Sequence, residues 1–174
     1  MEIILGFDVS STTTAYTVYT VENKSILKIE YGHFKPQKKG TIFEKLNALE
    51  KQVLSILQKH NPTKVVIEDI AKFMPGKSTA NTIITLALYN RTVGLTCFKE
   101  NLEPVLYNVL QIRHAIKTTK NLPKKEDIPK ELETRLNIKF PFLYDKKGKI
   151  KKESYDISDA YAVGLAYLLK NKLI

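Results

Sequence analysis

One cysteine, Cys97, is the only thiol in the sequence. A lone thiol cannot close an internal disulfide or build a multi-thiolate zinc site. Its neighbours Leu95 and Phe98 predict a buried, inert side chain. Also lacking is any apolar run long enough to span a bilayer. The opening Met1–Phe7 is shorter than the apolar core of a secretion signal, and Asp8 interrupts it, so the expected location is the cytoplasm. No glycine-rich adenosine-binding motif is present, which weighs against a nucleotide-hydrolysing fold. Acidic residues are the scarcer charge, 18 against 28 Lys and Arg, for a net charge of +10. A field of that sign attracts polyanions, with nucleic acid ahead of an anionic membrane or an acidic protein.

The 174 residues, 43% of them apolar, suit one domain spanning 1–174 around one core. Residues 2–8 form an apolar strand that ends in an acid. Residues 13–21 and 25–34 read as two more strands, with Asn23-Lys24 as the turn between them. Ile42, Leu46, Leu49, Val53, Ile56 and Leu57 recur at steps of three and four, predicting a helix over 41–60 stopped by Asn61-Pro62. Lys64–Glu68 is a short β-branched strand, again ending in an acid. The intervening helix lets it pair parallel to the first strand. A helix over 78–99, a short strand over 104–109, helices over 110–118 and 126–138, a lysine-rich mobile loop over 145–152 and a closing helix over 155–171 complete the reading. The fold class is α/β: a mixed five-stranded sheet, three antiparallel strands then parallel ones, with helices on both faces.

Four carboxylates stand out. Asp8 and Glu68 each end an apolar strand, where a side chain escapes the core into the crevice at the sheet's edge. Asp156 and Asp159 are three apart at the start of the last helix and so share a face. Converged and unpartnered, four carboxylates repel and some must stay protonated at neutral pH. Divalent cations remove that conflict. Mg²⁺ takes oxygen ligands and keeps several waters, and a pair of ions roughly 3.5–4 Å apart can grip a phosphodiester from both sides. Taken singly each acid has a plainer reading. Asp8 ends a strand, Glu68 pairs with a lysine, and Asp156 and Asp159 complement a positive helix end. The joint pattern points to chemistry.

That pattern resembles the RuvC family of Holliday-junction resolvases. The matching pieces are Ile3-Ile4-Leu5-Gly6-Phe7-Asp8 with Ser11 and Tyr16, then Val66-Ile67-Glu68-Asp69, then Asp156-Ile157-Ser158-Asp159-Ala160 with the small apolar run to Ala166. The resemblance runs in order along nearly the whole chain. It implies an RNase H-like fold, Asp8, Glu68, Asp156 and Asp159 as catalytic metal ligands, and two Mg²⁺ ions per site with Mn²⁺ as substitute. It also implies a homodimer that nicks two strands of a four-way junction symmetrically, with the second long helix (Ile83, Ile84, Leu88) between subunits. Two departures stand out. The family's D-P-G-S turn is here Asp8-Val9-Ser10-Ser11, and its aromatic after the second acid is matched, displaced, by Phe73.

Candidate DNA contacts follow. By spacing after Pro104-Val105, Arg113 and Lys124 match the family's two basic positions, with Lys117, Lys120 and Lys125 in the same stretch. A second cluster, Lys146, Lys147, Lys149, Lys151 and Lys152, directly precedes Asp156. Lysine and arginine here would bind backbone phosphate with little sequence information, and their plainer reading is a solvated face. Ser10 or Ser11 could touch a phosphate. His33 and His60 read as surface residues. Setting the four site acids aside from the 18 leaves 14 acidic residues against 28 basic ones. Three rivals stay open: an actin-like ATPase, for which one chain of this length is too short; an RNase H-like nuclease for RNA or DNA flaps; and a non-catalytic binder of branched DNA, which has no use for four acids in its groove.

Overall fold

The structure, a computed structural model, describes residues 1–70 and 79–174. Phe73 falls outside them. Five strands form one sheet: β1 (Glu2–Val9), β2 (Thr14–Glu22), β3 (Ser25–Phe34), β4 (Lys64–Glu68) and β5 (Val105–Tyr107). Their order is β3-β2-β1-β4-β5; β1–β2 and β2–β3 pair antiparallel, β1–β4 and β4–β5 parallel. The β2–β3 hairpin turns at Asn23 and Lys24, both with φ near +55°, the left-handed geometry of a two-residue turn whose twist matches its strands (φ 50° and 60°).

Both faces of the central strands are covered, and alternate residues therefore enter different cores. Leu5, Phe7, Val65 and Ile67 pack beneath α1 (Ile42–His60) and α2 (Ala80–Lys99). Ile4, Tyr19 and Val66 pack on the other face against α3 (Val109–Ile116), α4 (Ile128–Leu136) and α5 (Glu153–Lys170). Capping residues set the helix starts. The Thr41 side chain accepts from the Glu44 N–H while the Glu44 carboxylate accepts from the Thr41 N–H. Asn108 and Gln111 make the same reciprocal pair at α3, which is why β5 stops at Tyr107 rather than at Val109.

Helix α5 packs closely on the sheet. A methyl group on Gly6 of β1 would lie 2.8 Å from the backbone nitrogen of Gly164, and one on Gly164 would lie 2.6 Å from the Tyr19 ring. The Tyr19 hydroxyl donates to the Tyr161 carbonyl at 2.9 Å. The small residues after Asp159 thus let α5 lie directly on β1 and β2, fixing the acids it carries against Asp8.

Three expectations change. Helix α5 begins at Glu153, so Asp156 closes its first turn and Asp159 lies one turn further on. The 145–152 segment is an organised turn rather than an open loop. Asp145 Oδ1 accepts from the N–H groups of Lys147 and Lys149, Gly148 takes φ +75°, and Tyr144 bridges Ile150. His60 turns its side chain inward rather than onto the surface, 5% exposed and with its ring 5.9 Å from that of Tyr16. Burial, then the neighbouring Lys59, lowers its pKa below the usual histidine value.

Candidate active site

Strand pairing brings the first two acids together. Phe7 is the parallel partner of Ile67, so Asp8 and Glu68, one residue on, leave the same end of adjacent strands. Helix α5 crosses that end and adds Asp156 and Asp159. One carboxylate oxygen from each of Asp8, Asp156 and Asp159 lies within 4.8 Å of the others. Glu68 faces the same hollow from the β4 side, a cavity of about 170 Å³ lined by Asp8, Glu68, Arg113, Lys125 and Asp159 among others. All four predicted acids therefore converge, three as a compact trio and Glu68 beside them.

Although Asp8, Glu68 and Asp159 each keep an edge open to the cavity, protein encloses most of their surroundings. Burial raises the Asp8 carboxyl well above the usual carboxylate range; Glu68 and then Asp159 raise it further, against Lys125. Burial and then Asp159 push Glu68 up to about 7, opposed by Lys125 and Arg113. Burial also raises Asp159, with Lys125 as its main opponent. These are the signs expected of like charges crowded out of water.

Lys125, in a short 3₁₀ turn at Lys125–Asp127, partly relieves the crowding. Its Nζ lies 2.6 Å from Asp159 and 3.2 Å from Asp156. Burial alone would lower its pKa, but Asp159, Asp8 and Asp156 together raise it. A positive charge thus sits where the trio would hold a cation. The donor set is carboxylate oxygen alone, the set hard divalent ions prefer over soft or imidazole-seeking ones. The residues present therefore fit a divalent cation.

The predicted basic residues separate. Arg113 and Lys125 line the acid cavity. Ser11 and Lys152 line a second hollow that reaches Asp156. Lys117 caps the end of α3 and reaches the Lys120 carbonyl, Lys124 is exposed, and Lys151 is exposed with its N–H on the Leu143 carbonyl; none of the three lines either hollow. Two features escaped the sequence reading. Asn90, on α2 and 1% exposed, donates to the Glu68 carbonyl at 2.8 Å. Lys35 and Lys38 join Ser11 and Lys152 around the second hollow. The basic run Lys35-Pro36-Gln37-Lys38-Lys39 was a usable signal for the latter, whereas nothing local marks Asn90.

The profile of the family described as Crossover junction endodeoxyribonuclease RuvC matches residues 4–167. The chain belongs to the RuvC family. Relatives in it include the crossover junction endodeoxyribonucleases RuvC of Dictyoglomus thermophilum, 28% identical over 156 residues (84% of this chain, 99% of that one), and of Ehrlichia ruminantium, 28% identical over 173 residues (97% and 98%). Among solved structures, Thermus thermophilus RuvC in complex with a Holliday junction substrate superposes with a TM-score of 0.73 at 16% identity, covering 99% of this chain and 96% of that one. The yeast mitochondrial Holliday junction resolvase gives 0.68 at 11% identity, covering 98% and 79%. These likenesses show the RNase H-like fold. The RuvC-family membership carries divalent-metal dependence with it, and the acid trio is a candidate site for that metal.

Proposed function

We propose that this chain is a metal-dependent, structure-specific endodeoxyribonuclease that resolves four-way DNA junctions by paired nicks, with residues 1–174 as one nuclease domain. The observation that carries the reading is the trio of Asp8, Asp156 and Asp159 in a RuvC-family chain, with Arg113 and Lys125 in the adjoining cavity. Asp8, Glu68, Asp156 and Asp159 are the catalytic carboxylates and would hold two Mg²⁺ ions, for which Mn²⁺ would substitute. Bound there, such ions supply an activated water and neutralise charge on the leaving oxygen. The chain's own residues do the rest. Arg113 holds the scissile phosphate against the acids. The Lys125 ammonium, paired here with Asp156 and Asp159, would give those acids up to a bound cation and serve the phosphate instead. Asn90 fixes the backbone that presents Glu68, and α5 fixes Asp156 and Asp159 against β1. The location expected from the sequence, the cytoplasm, suits an enzyme that acts on DNA. Among the described residues no helix is long and apolar enough to cross a membrane.

Paired nicks need two active sites, and we assign the homodimer contact to α2. Ile84, Leu88, Leu95 and Phe98 fall on one stripe of that helix and are 56%, 40%, 55% and 60% exposed. Ile83, expected at the same contact, turns instead toward an apolar hollow beside Asp8 and Glu68. The test is a synthetic four-way junction incubated with Mg²⁺ or with EDTA beside a linear duplex of the same sequence. Metal-dependent cutting of the junction in preference to the duplex is expected. Equal cutting of both, or none with either Mg²⁺ or Mn²⁺, contradicts the reading.

A further inference from the structure

The second hollow, about 300 Å³ in volume, lies between the turn after β1, the segment after β3 and the start of α5. It shares no lining residue with the acid cavity, yet the two meet on α5. Asp156 lines this groove and Asp159 lines that cavity, one helical turn apart. Three lysines, Lys35, Lys38 and Lys152, stand around it. Lys35 is held at 2.7 Å by Glu153, which ties the segment after β3 to the first turn of α5 and aims both at the groove. Lys38 and Lys152 form no ion pair among the described residues. The hydroxyl run divides the same way. Ser10 is spent on its turn, its oxygen accepting the N–H groups of Thr12 and Thr13 while its hydroxyl donates to the Thr13 carbonyl. Ser11, on the groove wall, keeps both its hydroxyl and its N–H uncommitted among the described residues.

We infer that this groove is a phosphodiester subsite for the strand being cut, holding a phosphate that flanks the scissile one on the side opposite Arg113. The inference rests on the nuclease reading above. Cationic ends with free hydroxyl and N–H donors match the acidic, acceptor-only phosphodiester. The acid trio stands between this groove and Arg113, so a strand lying over the trio is gripped on both sides of the bond that breaks. The plainer alternative, solvated lysines around one surface ion pair, gives no reason for the uncommitted Ser11 donors to face the same hollow.

The test uses the full chain carrying Asp8→Asn, so that the junction stays intact, and junctions bearing a single uncharged methylphosphonate at successive positions around the cut. In this parent, neutral positions on both sides of the cut weaken binding several-fold. Adding Lys35→Ala with Lys38→Ala removes the sensitivity on one side only. It also lowers the slope of log affinity against log salt by about 1–2, the change expected from losing one or two phosphate contacts. Lys38→Ala alone, which leaves the Lys35–Glu153 pair in place, gives part of the same change. Lys51→Ala, removing equal charge from the exposed side of α1, leaves the two-sided profile intact. A parent that binds the junction, with the double variant keeping its two-sided profile, overturns the groove and leaves the nuclease reading standing. A parent that binds no junction overturns both.

Discussion

Asn90 sits outside the acid cluster and still governs it. Its amide donates to the Glu68 carbonyl and its oxygen accepts from Arg91, whose other nitrogen holds Asp69 at 2.8 Å. Two residues of α2 thereby fix the end of β4. Asn90→Ala leaves a buried carbonyl without its donor and is expected to cost about 1–3 kcal/mol, read by urea or thermal unfolding. A loss well below that would mean that water replaces the amide. Glu68 allows a sharper test. Burial and then Asp159 push its carboxyl up to about 7 in the fold from an ordinary 4.5, so the folded state favours the protonated form. Stability from this group is full below about 4.5 and falls as pH rises toward 7. Glu68→Gln mimics the protonated form at every pH. In metal-free buffer the variant's melting temperature should match wild type at pH 4.5 and exceed it increasingly up to pH 7. Saturating Mg²⁺ should narrow that gap by stabilising the ionised site. A gap that does not change with pH would contradict the crowding of the acids. Cys97 behaves as its surroundings require: burial pushes the thiol up to about 12, so neutral-pH alkylating reagents should leave native protein unlabelled.

Helix α5 is the element on which the site depends most, because it places two acids by lying flat on β1 and β2. Gly164→Ala drives a methyl into Tyr19, whose hydroxyl is already tied to the Tyr161 carbonyl. A loss of about 1–3 kcal/mol is expected, with cleavage falling further than stability because Asp156 and Asp159 move with the helix. Unchanged activity in a folded Gly164→Ala protein would separate the helix's seating from the chemistry. Most elements were legible in the sequence, since strand alternation, the period of α1 and its capping box are local signals. The start of α5 was not, because Lys152 precedes it without any side-chain cap. The 145–152 turn read as a mobile loop because lysine dominates it, although Asp145 with Gly148 three residues on is the sequence mark of such a turn. The four acids were found by their positions at strand and helix ends. Asn90 was missed because only the tertiary fold brings α2 to the end of β4, whereas the basic run at Lys35 and Lys38 was visible but its place beside α5 was not.

At the scale of the whole molecule, charge and surface have separate roles. A net charge of +10 that includes a clustered, half-buried acidic trio leaves a strongly basic exterior, so junction affinity should fall steeply between 50 and 200 mM salt, as is typical of proteins that contact roughly 6–10 phosphates. A shallow dependence would mean that the lysines are mainly solvated. The exposed stripe on α2 is uncharged except at Arg91. Leu88→Lys with Leu95→Lys should turn a dimer into a monomer in sedimentation, abolishing paired nicking while leaving single nicks. A wild-type chain that is monomeric at micromolar concentration would remove the dimer assignment and leave the metal site untouched. The role proposed for Asp8, in the trio, is catalysis rather than holding DNA. The most direct test measures binding and cutting of one labelled four-way junction side by side, in wild type and Asp8→Asn, with excess Mg²⁺. Junction binding by both proteins, symmetric paired cuts by wild type, and no cuts by Asp8→Asn are expected. Cutting by Asp8→Asn at the wild-type rate, or binding without cutting by wild type, would contradict that role.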